Sequence, residues 1–172
     1  MEEIVQLNAN AKLSEHFVLG EFTKSGSHPE VYNIPSHEAM ENLKRLCAWL
    51  EVLRERYNQK YVLDQTTPGP SYSGGEINTE PIRINSGYRS PQLNKAIHGA
   101  AGSNHMTGCA ADIRVSGMEQ ALRYAVILLD YAGETNQEFD ELLIEKNRYG
   151  ALWLHFAVRP EGNRFKVMFI NA

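Results

Sequence analysis

The stretch GSNHMTGCAAD, residues 102–112, contains a histidine and an aspartate that could bind a metal ion together. His105 and Asp112 lie seven residues apart in a segment rich in glycine and small residues. A catalytic zinc ion takes three protein ligands and keeps one open position for water, whose pKa it lowers toward neutrality. His105 and Asp112 can supply two of these ligands. His155, in the stretch WLHF, is the candidate for the third.

These residues can meet only if the elements around them bring them together. AADIRV, residues 110–115, has the alternation of a strand, and the runs at 139–145 and 151–158 flank KNRYG as the two strands of a hairpin. RFKVMFI, residues 164–170, predicts a further strand. A loop entering a strand can aim residues seven apart at one point, because Gly108 and its small neighbours let the backbone turn tightly.

Helices are predicted in three places. Ser36 is a plausible N-cap for a helix over residues 36–57, where apolar residues recur at steps of three and four. Ser90, with Pro91 after it, predicts a short helix that stops at Gly99, and the spacing of Ser116 and Glu119 resembles a capping box that opens a helix through residue 131.

Together these elements predict an α+β fold in a single domain, 1–172, with an antiparallel sheet, helices packed on one side and the zinc site at the sheet. Residues 1–60 are the N-terminal helical part, PIRIN at 81–85 is a short strand, and the site motifs fall within about 81–166. Residues 64–80 concentrate glycine, proline, serine and threonine, which predicts a long surface loop.

Composition excludes several classes of protein. A net charge of -4 and a pI near 5.9 give no electrostatic reason to bind nucleic acid. No segment approaches the ~20 apolar residues of a membrane span, and the first residues lack the features of a secretory signal. We therefore expect a protein kept in the cytoplasm unless another system releases it. Cys47 and Cys109 are the only cysteines, and both are expected to pack in the core.

Three motifs in order, SGYRSPQLN, SNHMTGCAAD and an aromatic-rich strand carrying WLH, resemble the zinc peptidases of the D-alanyl-D-alanine carboxypeptidase family. That family includes phage L-alanyl-D-glutamate endolysins and shares its zinc fold with hedgehog signalling domains. The resemblance implies that His105, Asp112 and His155 bind Zn²⁺ and that Arg89 steadies a substrate carbonyl or carboxylate. Tyr88 and Ser103 are expected to help bind substrate.

The histidines outside these motifs, which are His16, His28, His37 and His98, are not expected to bind the metal.

A zinc hydrolase also needs a group that takes the proton from the attacking water. Many relatives place a glutamate three residues before the last histidine, where this chain has Leu152. If residues 148–150 form a three-residue turn with Gly150 left-handed, Glu145 lies across from Trp153 and shares a face with His155. Glu141 lies on the same face. The branch of the family that this sequence resembles has a recurring FD-x-L-x-x-E strand, and this resemblance implies Glu145 as the base and leaves Glu141 as the alternative. A strand-edge carboxylate that only improves solubility also remains open.

The leading function is zinc-dependent hydrolysis of peptide bonds in bacterial peptidoglycan stem peptides, of the D,D-carboxypeptidase or endopeptidase type. The alternatives are a non-catalytic zinc-containing module that binds peptidoglycan, which Leu152 favours, and a metal-free structural module of a phage particle. Peptidoglycan peptides are the expected partners. The missing signal fits a phage or prophage lysis protein released to the cell wall, or a cytoplasmic recycling peptidase. The sequence leaves open which bond is cleaved and the oligomeric state.

Overall fold

The computed structural model describes residues 8–63 and 79–171, so all but the last two residues of the predicted loop at 64–80 lie outside the described residues. The elements, in chain order, are α1 Leu19–Thr23, α2 His37–Tyr57, a π-helical segment Asn58–Leu63, β1 Ile84–Ser86, α3 Pro91–Ala96, a 3-10 turn Asn104–Thr107, β2 Ala110–Arg114, α4 Met118–Thr135, β3 Glu141–Lys146, β4 Leu152–Ala157 and β5 Lys166–Asn171.

The five strands form one sheet in the order β1-β2-β4-β3-β5. The predicted antiparallel arrangement is confirmed for the first four strands and is wrong for β5, which runs parallel to β3. The reason is the short connection after β4. That strand ends beside Glu141, and Lys166 then starts β5 on the other side of the same residue, with its N–H donated to Asp140 O at 3.0 Å. The chain crosses the end of β3 without travelling back along it.

One face of the sheet packs against the two long helices. Its side chains are buried at 8% exposure or less: Ala111, Ile113, Leu142, Ile144, Leu154 and Phe156. Trp49 of α2 places its ring centroid 5.3 Å from that of Phe156, and Leu128 of α4 belongs to the same core. Because side chains alternate along a strand, Asp112 and His155 point to the opposite face.

Two of the predicted helix starts are confirmed. Ser36 Oγ accepts the N–H of Ala39 at 3.1 Å, and Ser90 Oγ accepts that of Leu93 at 3.1 Å. The predicted start of α4 is wrong, because Gly117 is the N-cap and no side chain caps it. Gln120 Oε1 accepts the backbone N–H of Ser116 at 2.7 Å, in place of the predicted pair with Glu119.

Helix α4 also runs to Thr135, four residues beyond the predicted end. Cys47 and Cys109 are buried and free, which confirms their predicted packing in the core. In the described parts of the chain, none of the helices combines the length and apolar character needed to cross a bilayer.

Candidate metal site

Strands β2 and β4 bring two of the three candidate ligands together. Asp112 is paired directly with His155 in the antiparallel register, so both side chains leave the sheet at one point. Asp112 Oδ1 lies 2.9 Å from His155 Nδ1. The two residues are 43 positions apart in sequence, and only the β2–β4 register makes them neighbours.

His105 reaches the same point from the 3-10 turn before β2. Ser103 Oγ accepts the His105 backbone N–H at 3.3 Å, and Gly108 follows in the left-handed region with φ of 73°. The loop lies so close to α2 that a Cβ at Gly108 would be 2.4 Å from Ala39 O. Only glycine fits both constraints, and the turn places His105 Nε2 3.3 Å from Asp112 Oδ1.

The tautomer of His105 is fixed by its other ring nitrogen. Nδ1 lies 2.6 Å from Gly87 O, and because a carbonyl only accepts, Nδ1 carries the proton and donates it. Nε2, which faces Asp112, is therefore the ring nitrogen left to bind a metal ion. Metal-binding histidines commonly have this arrangement, in which an outer acceptor orients the ring.

His105, Asp112 and His155 each offer one ligand atom, and these atoms lie within 4.8 Å of one another, so the group could hold a metal ion. Over residues 8–63 and 79–171 no second group of this kind is found. Among the other histidines, His16 Nδ1 lies 2.7 Å from Glu51 and His28 Nδ1 lies 3.2 Å from Glu30.

The electrostatics of the group are those of a carboxylate between two imidazoles. Burial raises the pKa of Asp112, but His105 and His155 outweigh it and hold that pKa well below the usual range. Burial lowers the pKa of His155, but Asp112 and Glu141 outweigh it and raise that pKa to about 9. At neutral pH Asp112 is ionised, and in the protein without a metal ion His155 carries a proton.

Arg89 holds the second oxygen of the Asp112 carboxylate. Its Nη2 donates to Asp112 Oδ2 at 2.8 Å and its Nε donates to Ser86 Oγ at 3.0 Å, with the Arg89 side chain 15% exposed. Because Arg89 binds Oδ2, the other carboxylate oxygen, Oδ1, faces the imidazoles of His105 and His155. Tyr88 is buried at 7% exposure, and Ser103 caps the 3-10 turn. The substrate contacts of Tyr88, Arg89 and Ser103 stay predictions.

The β3–β4 hairpin has the register that the sequence predicts. Gly150 has φ of 85°, and Asn147 N–H donates to Ala151 O at 3.0 Å, which closes a three-residue turn over 148–150. Glu145 therefore pairs with Trp153, and Leu143 pairs with His155. Glu141, Leu143 and Glu145 all share the face of His155.

Glu141 is fully engaged with charged and polar partners. Its Oε2 lies 3.4 Å from His155 Nε2 and accepts Asn104 Nδ2 at 3.0 Å, while Oε1 lies 2.9 Å from Arg164 Nη2 and 3.5 Å from Lys166 Nζ. His155, followed by Arg164 and Lys166, outweighs burial and lowers the pKa of Glu141 to about 2. Glu141 is a fixed anion behind His155.

Glu145 has the opposite surroundings. Within the described chain it makes no ion pair and no hydrogen bond, and burial raises its pKa, helped by Asp112 and opposed by His155, Trp153 and His105. Trp153 Nε1 is buried with no hydrogen-bond partner in the described chain. It lies close enough to Glu145 to favour the ionised carboxylate, but without the geometry of a hydrogen bond.

A second cluster of charged side chains, centred on Asp140, lies next to the site and was not predicted from the sequence. Asp140 is completely buried and accepts Asn104 Nδ2 at 2.7 Å and Arg164 Nη2 at 2.7 Å, with Arg159 Nε 3.1 Å away. Asn104 directly precedes His105, and Glu141 lies beside His155. The hydrogen bond from Asn104 to Glu141 therefore connects the segments that carry these two candidate ligands. The sequence showed Asp140 only as part of FDELLIE. Its partners Arg159 and Arg164 come from the connection between β4 and β5, and the sequence does not specify the path of that connection.

A family model described as Peptidase M15 matches residues 75–135, about a third of the chain. The matched stretch includes Arg89, His105 and Asp112, and ends before Glu145 and His155. The match supports a metallopeptidase, in a family that is typically zinc-dependent. No curated protein matches the chain.

Proposed function

We propose that this protein is a zinc-dependent peptidase that hydrolyses peptide bonds in bacterial peptidoglycan stem peptides, of the D,D-carboxypeptidase or endopeptidase type. The observation that carries the proposal is the convergence of two imidazoles and a carboxylate, with ligand atoms within 4.8 Å of one another, beside a carboxylate that has no ion-pair partner in the described chain. The match to Peptidase M15 supports the class of reaction. The substrate class rests on the sequence resemblance.

The donor set fits zinc. Two imidazoles and one carboxylate are the ligand number and types of a catalytic zinc site, and they leave a position open. The outer contacts fit as well, because Gly87 O holds His105 Nδ1 and Arg89 holds Asp112 Oδ2, which leaves His105 Nε2 and Asp112 Oδ1 to bind the ion. Zinc bound there supplies a Lewis acid and lowers the pKa of a water molecule toward neutrality.

Glu145 is the proposed general base. Glu141 is occupied by His155, Asn104 and Arg164, so it is poorly placed to exchange protons. Glu145 has a raised pKa, and a carboxylate of that kind can accept a proton from water and pass it to the leaving amine. Two carboxylates on one strand thus take different roles because their surroundings shift their pKa values in opposite directions.

Arg89 is proposed to act on the substrate as well as on Asp112. Its Nε and Nη2 are used by Ser86 and Asp112, which leaves the Nη1 N–H groups to donate to a substrate carbonyl or carboxylate. A guanidinium fixed on two sides is a preorganised donor for a developing oxyanion. The proposed substrate contacts of Tyr88 and Ser103 rest on the sequence resemblance alone.

A non-catalytic zinc-containing module that binds peptidoglycan is the second candidate function, and Leu152 favours it. Leu152 takes the position where many relatives have a glutamate, and it lies at the start of β4 opposite Lys146. In that case the protein would bind peptidoglycan without hydrolysing it, and Glu145 would not act as a general base. For either function, release to the cell wall as a phage or prophage lysis protein is our proposal for its place of action. A metal-free structural module of a phage particle requires that the three ligand side chains bind no zinc.

The test is incubation of the zinc-loaded protein with purified wall peptides that contain D-Ala-D-Ala or L-Ala-D-Glu linkages. We expect release of amino groups that stops with a chelator and returns when zinc is added. If the protein binds stoichiometric zinc but releases no amino groups from either linkage, the peptidase is excluded and the non-catalytic binding module remains. A protein that takes up no zinc would leave the structural module.

A further inference from the structure

Two arginines differ from the other eight in the chain. Eight guanidinium groups contact side chains: Arg45, Arg54, Arg56, Arg89, Arg123, Arg148, Arg159 and Arg164. Arg83 and Arg114 make no side-chain hydrogen bond, ion pair or ring contact within the described residues. Both are exposed.

These two arginines are neighbours across β1 and β2. Ile84 pairs with Ile113, and the Arg114 N–H donates to Arg83 O at 2.9 Å, which continues the pairing by one residue. Ile84 and Ile113 are buried on the helix side of the sheet. Arg83 and Arg114 therefore point to the other face, the one that carries Asp112.

Like charges directly opposite on neighbouring strands destabilise a sheet. A charged residue on an edge strand can be explained by protection against edge-to-edge aggregation, and this covers Arg83 beside β1. It does not cover Arg114, because β2 lies between β1 and β4. An anion bound between the two guanidinium groups would remove the repulsion.

The arginine pair adjoins the candidate metal site. Arg114 pairs with Trp153, which pairs in turn with Glu145, so the four side chains form a row across one face. Asp112 lies two residues before Arg114 on β2, a separation of roughly 7 Å along the strand. Trp153 Nε1 in the same row is buried without a hydrogen-bond partner in the described chain and lies close to the Glu145 carboxylate.

We propose that Arg83 and Arg114 form an anion-binding subsite that holds a carboxylate of the peptide substrate, within one or two residues of the cleaved bond. This inference rests on the proposed function, since it names the charge of the substrate taken at the same site. A peptide residue spans about 3.3–3.6 Å, so two residues span this separation and a carboxylate within that reach can meet the two arginines. Paired guanidinium groups offer several N–H donors to a carboxylate.

The carboxylate can be the free C-terminus of the peptide or a branch or side-chain carboxylate within it. The test uses two pairs of wall peptides, one differing only in C-terminal acid against amide, the other only in an internal D-Glu against D-Gln. Binding is measured by calorimetry to the zinc-loaded full chain carrying Glu145→Gln, so that turnover does not interfere. The pair that discriminates identifies the source.

In that background, Arg83→Gln and Arg114→Gln should each weaken binding of the acidic peptide about tenfold and leave the amide peptide unchanged. Lys95→Gln, which removes an exposed charge on α3, is the matched control and should change neither. The preference for acid should shrink as salt is raised. Thermal melting checks that each variant is folded.

Equal binding of acid and amide peptides, equal loss of both in the arginine variants, or no binding of any acidic peptide would overturn the subsite. Turnover of all peptides at equal rates overturns the subsite and leaves the peptidase standing. If the unsubstituted protein shows no turnover but binds acidic peptides more tightly through the two arginines, the peptidase is overturned and the subsite stands.

Discussion

Glu145 and Trp153 lie directly opposite each other on β3 and β4, two residues along from the pair formed by Leu143 and His155. This register puts Glu145 on the face of the candidate metal ligands, where burial raises its pKa. Glu141, at the other diagonal from His155, is held by cations and has its pKa lowered to about 2. The two glutamates are therefore distinguishable by mutation.

Glu145→Gln should lower kcat on wall peptides by about 10²- to 10⁴-fold, the usual contribution of a general base. Zinc should remain bound, because Glu145 is not one of the three proposed ligands. Rates and zinc content are measured on the same preparation. Glu138→Gln, an exposed change just before β3, should leave both at the value of the unsubstituted protein.

An unchanged rate in Glu145→Gln would move the proton-transfer role to Glu141 or elsewhere.

Glu141→Gln should weaken zinc binding by about 10- to 100-fold, the cost of losing an outer partner of a metal-binding histidine. The physical reason is the attraction between the Glu141 carboxylate and the His155 ring, whose Nε2 lies 3.4 Å from Oε2 without the geometry of a hydrogen bond. This attraction favours the ring orientation that turns Nδ1 toward Asp112. Zinc affinity is measured by competition with a chromogenic chelator. At saturating zinc, kcat should recover, which is the opposite of the pattern expected for Glu145→Gln.

Unaltered zinc affinity in Glu141→Gln would contradict an orienting role for this carboxylate.

His105→Ala and His155→Ala should each abolish stoichiometric zinc binding, because two remaining ligands hold zinc poorly. Elemental analysis of dialysed protein gives the zinc content per chain, and circular dichroism checks the fold. His37→Ala is the control, since His37 is exposed at the first turn of α2 and should leave the zinc content unchanged. Full zinc content in His155→Ala would show that the ion is held elsewhere.

The pH dependence of zinc binding follows from the raised pKa of His155, about 9 against an ordinary value of 6.5. In the metal-free protein the protonated ring stabilises the fold fully below pH 6.5, and this contribution is lost as the pH rises through about 9. Zinc must displace that proton, so its affinity should rise roughly tenfold per pH unit within this window. Calorimetry in buffers of different ionisation enthalpy should show about one proton released.

A zinc affinity that is flat from pH 6.5 to pH 9 would contradict a protonated His155.

Gly108→Ala should destabilise the fold by about 1–3 kcal/mol or more, because the left-handed φ of 73° disfavours a side chain and a Cβ would lie 2.4 Å from Ala39 O. The change should also weaken zinc binding, since this turn positions His105. Gly102→Ala in the same loop meets nothing within 4 Å and is the matched control. Denaturant unfolding compares the two, and equal stabilities would show that the contact with α2 is unimportant.

Much of the site could be predicted from the sequence because local chemistry dictates it. The glycine and small residues between His105 and Asp112 indicate a tight turn, and Gly150 indicates a three-residue hairpin turn that fixes which residues face His155. The start of α4 was predicted wrongly because Ser116 and Glu119 have the spacing of a capping box. In the structure it is Gln120, not Glu119, that accepts the backbone N–H of Ser116. The parallel pairing of β5 was missed because its direction depends on where a connection crosses the sheet.

Residue types and the motifs around them indicated in the sequence which side chains could bind a metal. They also indicated which strand faces Asp112, Glu145 and His155 occupy, because alternation along a strand and turn chemistry are local properties. The position of Glu141 beside His155, and the lack of an ion-pair partner for Glu145 in the described chain, depend on tertiary packing, since Arg164 and Asn104 reach Glu141 from distant segments. The position of Arg83 next to Arg114 depends on packing in the same way. Contacts of this kind depend on how segments far apart in sequence pack, and no local pattern encodes them.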